Sequence, residues 1–322
     1  MLAGIDVARL NFSHGSYSEH HNRITIIREL NKKYRRHIRI LQDLEGYRIR
    51  IGKFSGKKKT FELKKKKIVL LTNKDGLKDD NVIPLDYEGP LKDIKLGTHI
   101  YVDDGNIALL VKQGTKKYLK TEVITPGILK ENKGVNIPDL KLRFQDMTEK
   151  DKNDLKFGIK NKVDFIAQSF VRSKKDITNL RKFLGDKIKC KIIAKIENKD
   201  GIKNIEEIIN VVDGIMIARG DMGVSLPIYQ VPMVQKMIIR KCNQMKKFVI
   251  TATQMLESMT EHIRPTRAEV SDVANAIIDG SDYVMLSAES AVGEHPVETV
   301  KMMNDIIKYT ESKAGGSWKK KS

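Results

Sequence analysis

Short apolar runs rich in Ile and Val recur along the chain, each bounded by polar residues, and most are followed by a stretch with helical spacing. The runs occupy residues 7–12, 38–41, 163–170, 190–196, 214–218, 248–253 and 283–286, seven in all. Between them apolar residues return every three or four positions, as in Ile24, Ile27, Leu30 and Tyr34, in Ile177, Leu180 and Leu184, and in Val270, Val273, Ala274 and Ile277. Ser16 with Glu19 reads as a capping box ahead of the first helix, and Gly185 falls just past the last apolar residue of the third. Strand followed by helix, repeated, predicts parallel α/β architecture.

An open doubly wound sheet and a (β/α)8 barrel both satisfy that pattern, and the polar residues after the strands separate them. An open sheet places its chemistry at one switch point, whereas a barrel uses every strand end. Here Arg9 to His14, Asp43, Gln168 and Ser169, Lys195 and Glu197, Arg219 to Asp221, Thr253 and Gln254, and Ser287 with Glu289 all follow strands. A barrel is therefore expected. It needs eight strands, and the chain opens almost directly on one, so the expectation is an incomplete TIM barrel of seven strands, one β/α unit short at its amino terminus.

Residues 46–142 break the pattern with short alternating runs and turn signals, including Asp104-Gly105 between two apolar runs. This predicts an inserted all-β lid domain, flanked by barrel segments at 1–45 and 143–312, with a basic tail at 313–322. Placed after Asp43, at a strand's carboxyl end, the insert would stand over the barrel mouth. A length of 322 residues suits two domains.

Charge is the unusual quantity: the formal net charge is +19, and nearly half of it falls in the insert. Clusters occur at Lys57 to Lys59, Lys64 to Lys67 and Lys319 to Lys321. Aromatic residues make up only 6% and the lysines are spread out, which disfavours a nucleic-acid binder and favours a solvated Lys-rich surface. Such a field still draws anionic phosphate substrates. No apolar run approaches the roughly 18 residues of a membrane helix, and Asp6 and Arg9 interrupt any leader-like start, so no membrane partner and a cytoplasmic location are expected. Cys190 and Cys242 lie outside any metal or redox spacing and read as reduced thiols.

Lys195 and Glu197 are two apart in an extended run, so both leave the same face of a strand end. Asp221 ends the next strand after Ala218-Arg219-Gly220, and adjacent parallel strands bring it near Glu197. Two carboxylates with open water positions suit magnesium. Gly220 and Gly223 allow backbone to approach an anion. On these residues alone a neighbouring ion pair and a plain turn remain equally good readings.

Longer strings go further: VARLNFSHG at 7–15, AKIEN at 194–198, ARGDMGV at 218–224, ITATQMLESM at 250–259, PTRAEVSDVANAIIDG at 265–280 and MLSAES at 285–290. In identity, order and the place of the insert, the chain resembles the pyruvate kinase family over nearly its whole length. The resemblance implies phosphoryl transfer from phosphoenolpyruvate to ADP, giving pyruvate and ATP in glycolysis. Glu197 and Asp221 would hold Mg2+ or Mn2+, bridging carboxylate and enolate oxygens of the three-carbon substrate. Arg9 and Lys195 would flank the phosphoryl group, Gly220 would offer an N–H to the substrate carboxylate, and Thr253 would lie near the carbon that accepts a proton. Arg50 and the lid residue Lys133 match nucleotide positions, and Asn11 and His14 adjoin the nucleotide pocket. Met255, Leu256 and Met259 read instead as packing.

The resemblance also implies a monovalent-cation set for K+: Asn11, Ser13, Asp43 and the carbonyl of Leu44. Around it the chain departs from the commoner pattern, with Leu44 for Thr, Tyr47 for Pro and Arg48 for Glu; relatives with Leu after the Asp and Lys at the position of Arg48 resemble those that work without potassium. Potassium independence is the expectation, the Arg48 guanidinium replacing the ion's charge. Ser225 stands where the family has an acid. The family's first strand and helix would precede Leu2, and its carboxyl-terminal domain, which contributes to homotetramers, would begin near Tyr309. Three rivals follow: a catalytically incompetent remnant that needs a complementing chain, a relative that makes or cleaves carbon–carbon bonds through a pyruvate enolate, and, last, a nucleic-acid binder.

Overall fold

A computed structural model describes residues 1–54, 59–74, 81–103, 105–138, 140, 147–185 and 189–314. Lys57, Lys58, Asp104, the domain boundary at Leu142 and the tail beyond residue 314 lie outside the described residues. The chain divides into two compact units, one of residues 1–46, 147–222 and 229–322, the other of 47–146 and 223–228.

The first unit carries one parallel seven-stranded sheet in chain order: β1 (Val7–Asn11), β2 (Arg39–Asp43), β3 (Phe165–Gln168), β4 (Lys191–Ile196), β5 (Gly214–Ala218), β6 (Phe248–Ala252) and β7 (Tyr283–Met285). All seven runs anticipated in the sequence are strands. The sheet curls as a partial barrel, as expected of an incomplete TIM barrel. Its registers set Arg9 beside Leu41, Leu41 beside Phe165 and Phe165 beside Lys191 in one row, and Asn11, Asp43, Ala167, Ile193, Gly214 and Phe248 in the next. Alternate residues of each strand therefore share one face. Leu41, Phe165, Ala167, Ile193, Met216, Ile250 and Ala252 pack there into one core. Gly214 is required within it, because a Cβ at that position would come 2.2 Å from the Phe248 ring.

Helices α1 (Tyr17–Tyr34), α2 (Glu149–Lys160) and α3 (Lys174–Leu184) connect the early strands, and α4 (Lys199–Lys203) and α5 (Ile205–Ile209) follow β4. Then come α6 (Arg219–Ser225), α7 (Val231–Gln244), α8 (Arg267–Ile278), α9 (Ala288–Ala291) and α10 (Pro296–Ala314). The capping box of Ser16 and Glu19 is formed, and α3 stops at Gly185 with φ 72°. Met255, Leu256 and Met259 are buried against Val273 and Ala276 of α8 and Met303 and Ile306 of α10. Cys242 is buried, Cys190 is half-buried, and both are free thiols. No helix among the described residues is long and apolar enough to cross a membrane.

The second unit is all-β. Strands Val135–Asn136, His99–Val102, Ile107–Gly114, Leu119–Thr125, Ile68–Thr72, Val82–Asp86 and Arg50–Ile51 form a mixed sheet in that order, and Gly127–Lys130 pairs with Thr60–Leu63. Alternate residues supply its interior: Leu109, Val111, Leu119, Val123, Val69, Leu71, Ile83 and Leu85 enter one core. The turn anticipated around Gly105 joins two antiparallel strands, with Gly105 at φ 90°.

Candidate active site at the strand carboxyl ends

The row of alternate residues that fills the sheet's inner face ends, at the carboxyl side, in charge. Lys195, at the end of β4, places its ammonium 3.1 Å from Asp43 Oδ1, 3.1 Å from Glu197 Oε1 and 2.7 Å from Ser169 Oγ, to which it donates. Arg9, on β1, donates through Nε to the other oxygen of Asp43 at 2.7 Å. Ser169 in turn donates to the Leu44 carbonyl at 2.6 Å. The Phe170 N–H donates to Glu197 Oε2 at 2.5 Å, from a residue held at φ 54°. Asp43 and Glu197 are each only 1% exposed, so the acids of the cluster are shielded from solvent.

Electrostatics follow from that burial. Desolvation alone would raise the Asp43 carboxyl, but Lys195 and Arg9 outweigh it and hold Asp43 below the usual carboxylate range. Desolvation likewise works against the Lys195 charge, yet Asp43 and then Glu197 overcome it and push its pKa up. Glu197 goes the other way: burial raises its pKa, Lys195 opposes this, and the charge of Asp221 adds to the rise. Asp221 acts on both Lys195 and Glu197 and therefore belongs to the same cluster. Three acids thus face two cations. Glu197 Oε1, although near the ammonium, has no directional hydrogen bond. An oxygen-rich pair with one buried, unbonded carboxylate oxygen fits a hard divalent cation, which takes its other ligands from water and substrate.

At the carboxyl end of β6, Thr253 and Gln254 lie in the left-handed region, at φ 71° and 53°. A β-branched residue there is strained. The strain is held by Arg219, whose guanidinium donates to the carbonyls of Thr253 at 2.6 Å, Gln254 at 3.2 Å and Ala252 at 3.3 Å. Arg219 is fixed in turn by Asp272 of α8 at 2.7 Å. The turn aims Thr253 Oγ1 at the Gly220 N–H, which donates to it at 2.8 Å. Gly220 and Thr253, predicted separately, are therefore in direct contact.

After β1 the chain turns tightly. Asn11 Oδ1 accepts from the Ser13 N–H at 3.1 Å, and the His14 carbonyl bonds His20 Nε2 at 2.9 Å. Within the second unit, Arg50 donates to the Asn132 carbonyl at 3.0 Å, and Lys133 pairs with Asp103 at 2.7 Å. Arg48 lies against Gly134, where an added Cβ would be 2.3 Å from its Nε.

Sequence reading gave Asp43 only a cation-binding role and named neither Ser169 nor the Phe170 amide nor the Arg219 clamp as site features. Asp43 is the counter-ion of both Arg9 and Lys195. The signal was available for the side chains, since Ser169 and Arg219 sit directly after strands, where barrel sites are built. The positive φ values at Phe170, Thr253 and Gln254 have no such sign, because none is glycine or asparagine.

Comparison with known proteins agrees with this architecture. The family model described as pyruvate kinase, barrel domain, matches residues 1–300. The pyruvate kinase of Geobacillus stearothermophilus is 47% identical over 315 residues, covering 97% of this chain and 53% of that protein. That of Staphylococcus epidermidis is 47% identical over 97% of this chain and 54% of its own length, and that of Staphylococcus aureus strain MRSA252 is 47% identical over 96% and 53%. The chain belongs to the pyruvate kinase family. It spans about half the length of the curated relatives it matches.

Proposed function

We propose that the chain transfers the phosphoryl group of phosphoenolpyruvate to ADP, giving pyruvate and ATP. The observation that carries the reading is the buried Lys195 ammonium, ringed by Asp43, Glu197 and Ser169, with Arg9 on the far oxygen of Asp43. The bond from phosphorus to the enol oxygen breaks as one to a terminal ADP oxygen forms, and the enolate then takes a proton at carbon to become pyruvate. Such a loose transition state needs positioned charge rather than covalent help. Arg9 and Lys195 supply it: fixed by acids in a dry site, they need no reorganisation as negative charge builds on the phosphoryl and enolate oxygens. Glu197 and Asp221 would hold magnesium, or manganese in its place, which would supply Lewis-acid charge at the substrate's oxygens. Thr253 holds a hydroxyl in a fixed position for the proton delivery, directly or through water. Asn11, His14, Arg50 and Lys133 are assigned to the nucleotide on their motif positions.

Potassium independence belongs to the same reading. Asp43 faces Arg9 through one oxygen and Lys195 through the other, so resident cations already neutralise the one charged member of the set expected for a monovalent ion, and the Leu44 carbonyl accepts from Ser169. A homo-oligomer is also proposed, on the exposed Tyr229 and Met233, and a cytoplasmic location goes with glycolysis.

The test is a coupled assay of pyruvate formation from phosphoenolpyruvate and ADP with magnesium. Activity is expected from the chain, falling by about 10²- to 10³-fold in Lys195→Met. No activity from the chain would favour the remnant reading; activity unchanged in Lys195→Met would overturn the site. At constant ionic strength, replacing sodium by potassium should leave the rate within about twofold, and a large activation would remove the potassium reading.

A further inference from the structure

At their amino ends the same strands build a second concavity, one that the phosphoryl-transfer reading does not use. A cavity of about 720 Å³ opens there, lined by His37 and Arg39 ahead of and within β2, Lys162 and Phe165 at the entry to β3, and Lys189 and Lys191 at the entry to β4. Its size lies within the range of small-molecule pockets. Among the described residues, Arg39, Lys162, Lys189 and Lys191 have no carboxylate partner. The one acid in the wall, Asp164, is already bonded by the Ile40 N–H at 2.7 Å.

Two of the cations are held by the barrel core. The Arg39 guanidinium lies over the Phe165 ring at 5.7 Å, and the Lys191 ammonium over the Phe248 ring at 5.7 Å. Here four cations from three chain segments, without a carboxylate partner among the described residues, converge on one concavity, whose low-dielectric sides focus their field. A planar guanidinium beside ammonium groups matches the oxygens of a phosphate. We propose that this amino-end cavity binds a small phosphate-bearing anion. Barrel catalysis sits at the other end of the strands, so the site is one of binding.

Cys190 lines the cavity and Cys242 is buried, which gives an internal probe and control. Inorganic pyrophosphate, titrated without divalent metal, is expected to bind saturably by calorimetry and to slow alkylation of Cys190 at least fivefold. In Lys189→Gln/Lys191→Gln, two exposed positions, affinity should fall at least tenfold and the protection should vanish; single Lys162→Gln should weaken binding less. Lys195→Met should keep both signals, which separates this site from the one at the carboxyl ends. Absence of saturation, or binding lost in Lys195→Met and kept in the lysine double variant, overturns the proposal.

Discussion

The two ends of the seven barrel strands present the same inner face to opposite electrostatic fates. At the carboxyl ends Arg9 and Lys195 have acids within 3.1 Å, and those acids, Asp43 and Glu197, are buried. At the amino ends Arg39 and Lys191 emerge from the same alternating rows with no acid among the described residues, resting on aromatic rings instead. Pairing is what allows charge to be held dry and stationary, because an uncompensated ion in the interior costs several kcal/mol. The unpaired end stays at the surface, where its field is available to a visitor. One end holds its charges in pairs and the other leaves them open.

The sharpest way to break this contrast is to unpair the paired end. Asp43→Asn leaves Arg9 and Lys195 facing a neutral amide and is expected to cost about 3–5 kcal/mol in urea unfolding. Lys162→Gln at the other end should stay within about 0.5 kcal/mol; equal costs would dissolve the distinction. Next in size, Thr253→Ala should lower kcat in the pyruvate assay by about 10²-fold, while Thr253→Ser, which keeps the hydroxyl, should recover most of it. Recovery by serine distinguishes a chemical role from mere packing. The smallest effect concerns the turn after β1, where Tyr17 donates to Asp154 at 2.7 Å. Burial, then that bond and the Asp154 charge, push its phenol from 10.0 up to about 12. A folded pKa above the unfolded one means the stabilisation is complete below pH 10 and is lost as pH rises toward about 12. Tyr17→Phe should cost about 1 kcal/mol at pH 8, and its stability should change less across that window.

Much of the barrel was legible because parallel strands covered on both faces spell themselves as continuous apolar runs. All seven were placed to within a few residues, and the capping box at Ser16 and the stop at Gly185 marked helix ends by local chemistry. The motifs carried Arg9, Lys195, Glu197 and Asp221, which the fold gathers. What stayed hidden is non-local. That Asp43 serves two cations depends on registers between three strands, 34 residues apart for Arg9. The amino-end cavity is assembled from lysines that look, one by one, like ordinary surface residues, and only their convergence gives them meaning. The Arg219 clamp joins a strand end to carbonyls of the next one, and carbonyls have no letter in the sequence.

That clamp has an evolutionary corollary. Thr253 and Gln254 sit in a backbone shape glycine would adopt without complaint, so Gln254→Gly should ease the bend and raise the melting temperature while letting the threonine hydroxyl wander. A laboratory lineage chosen only for survival at heat would drift toward that substitution and grow sturdier as the hydroxyl lost its fixed aim.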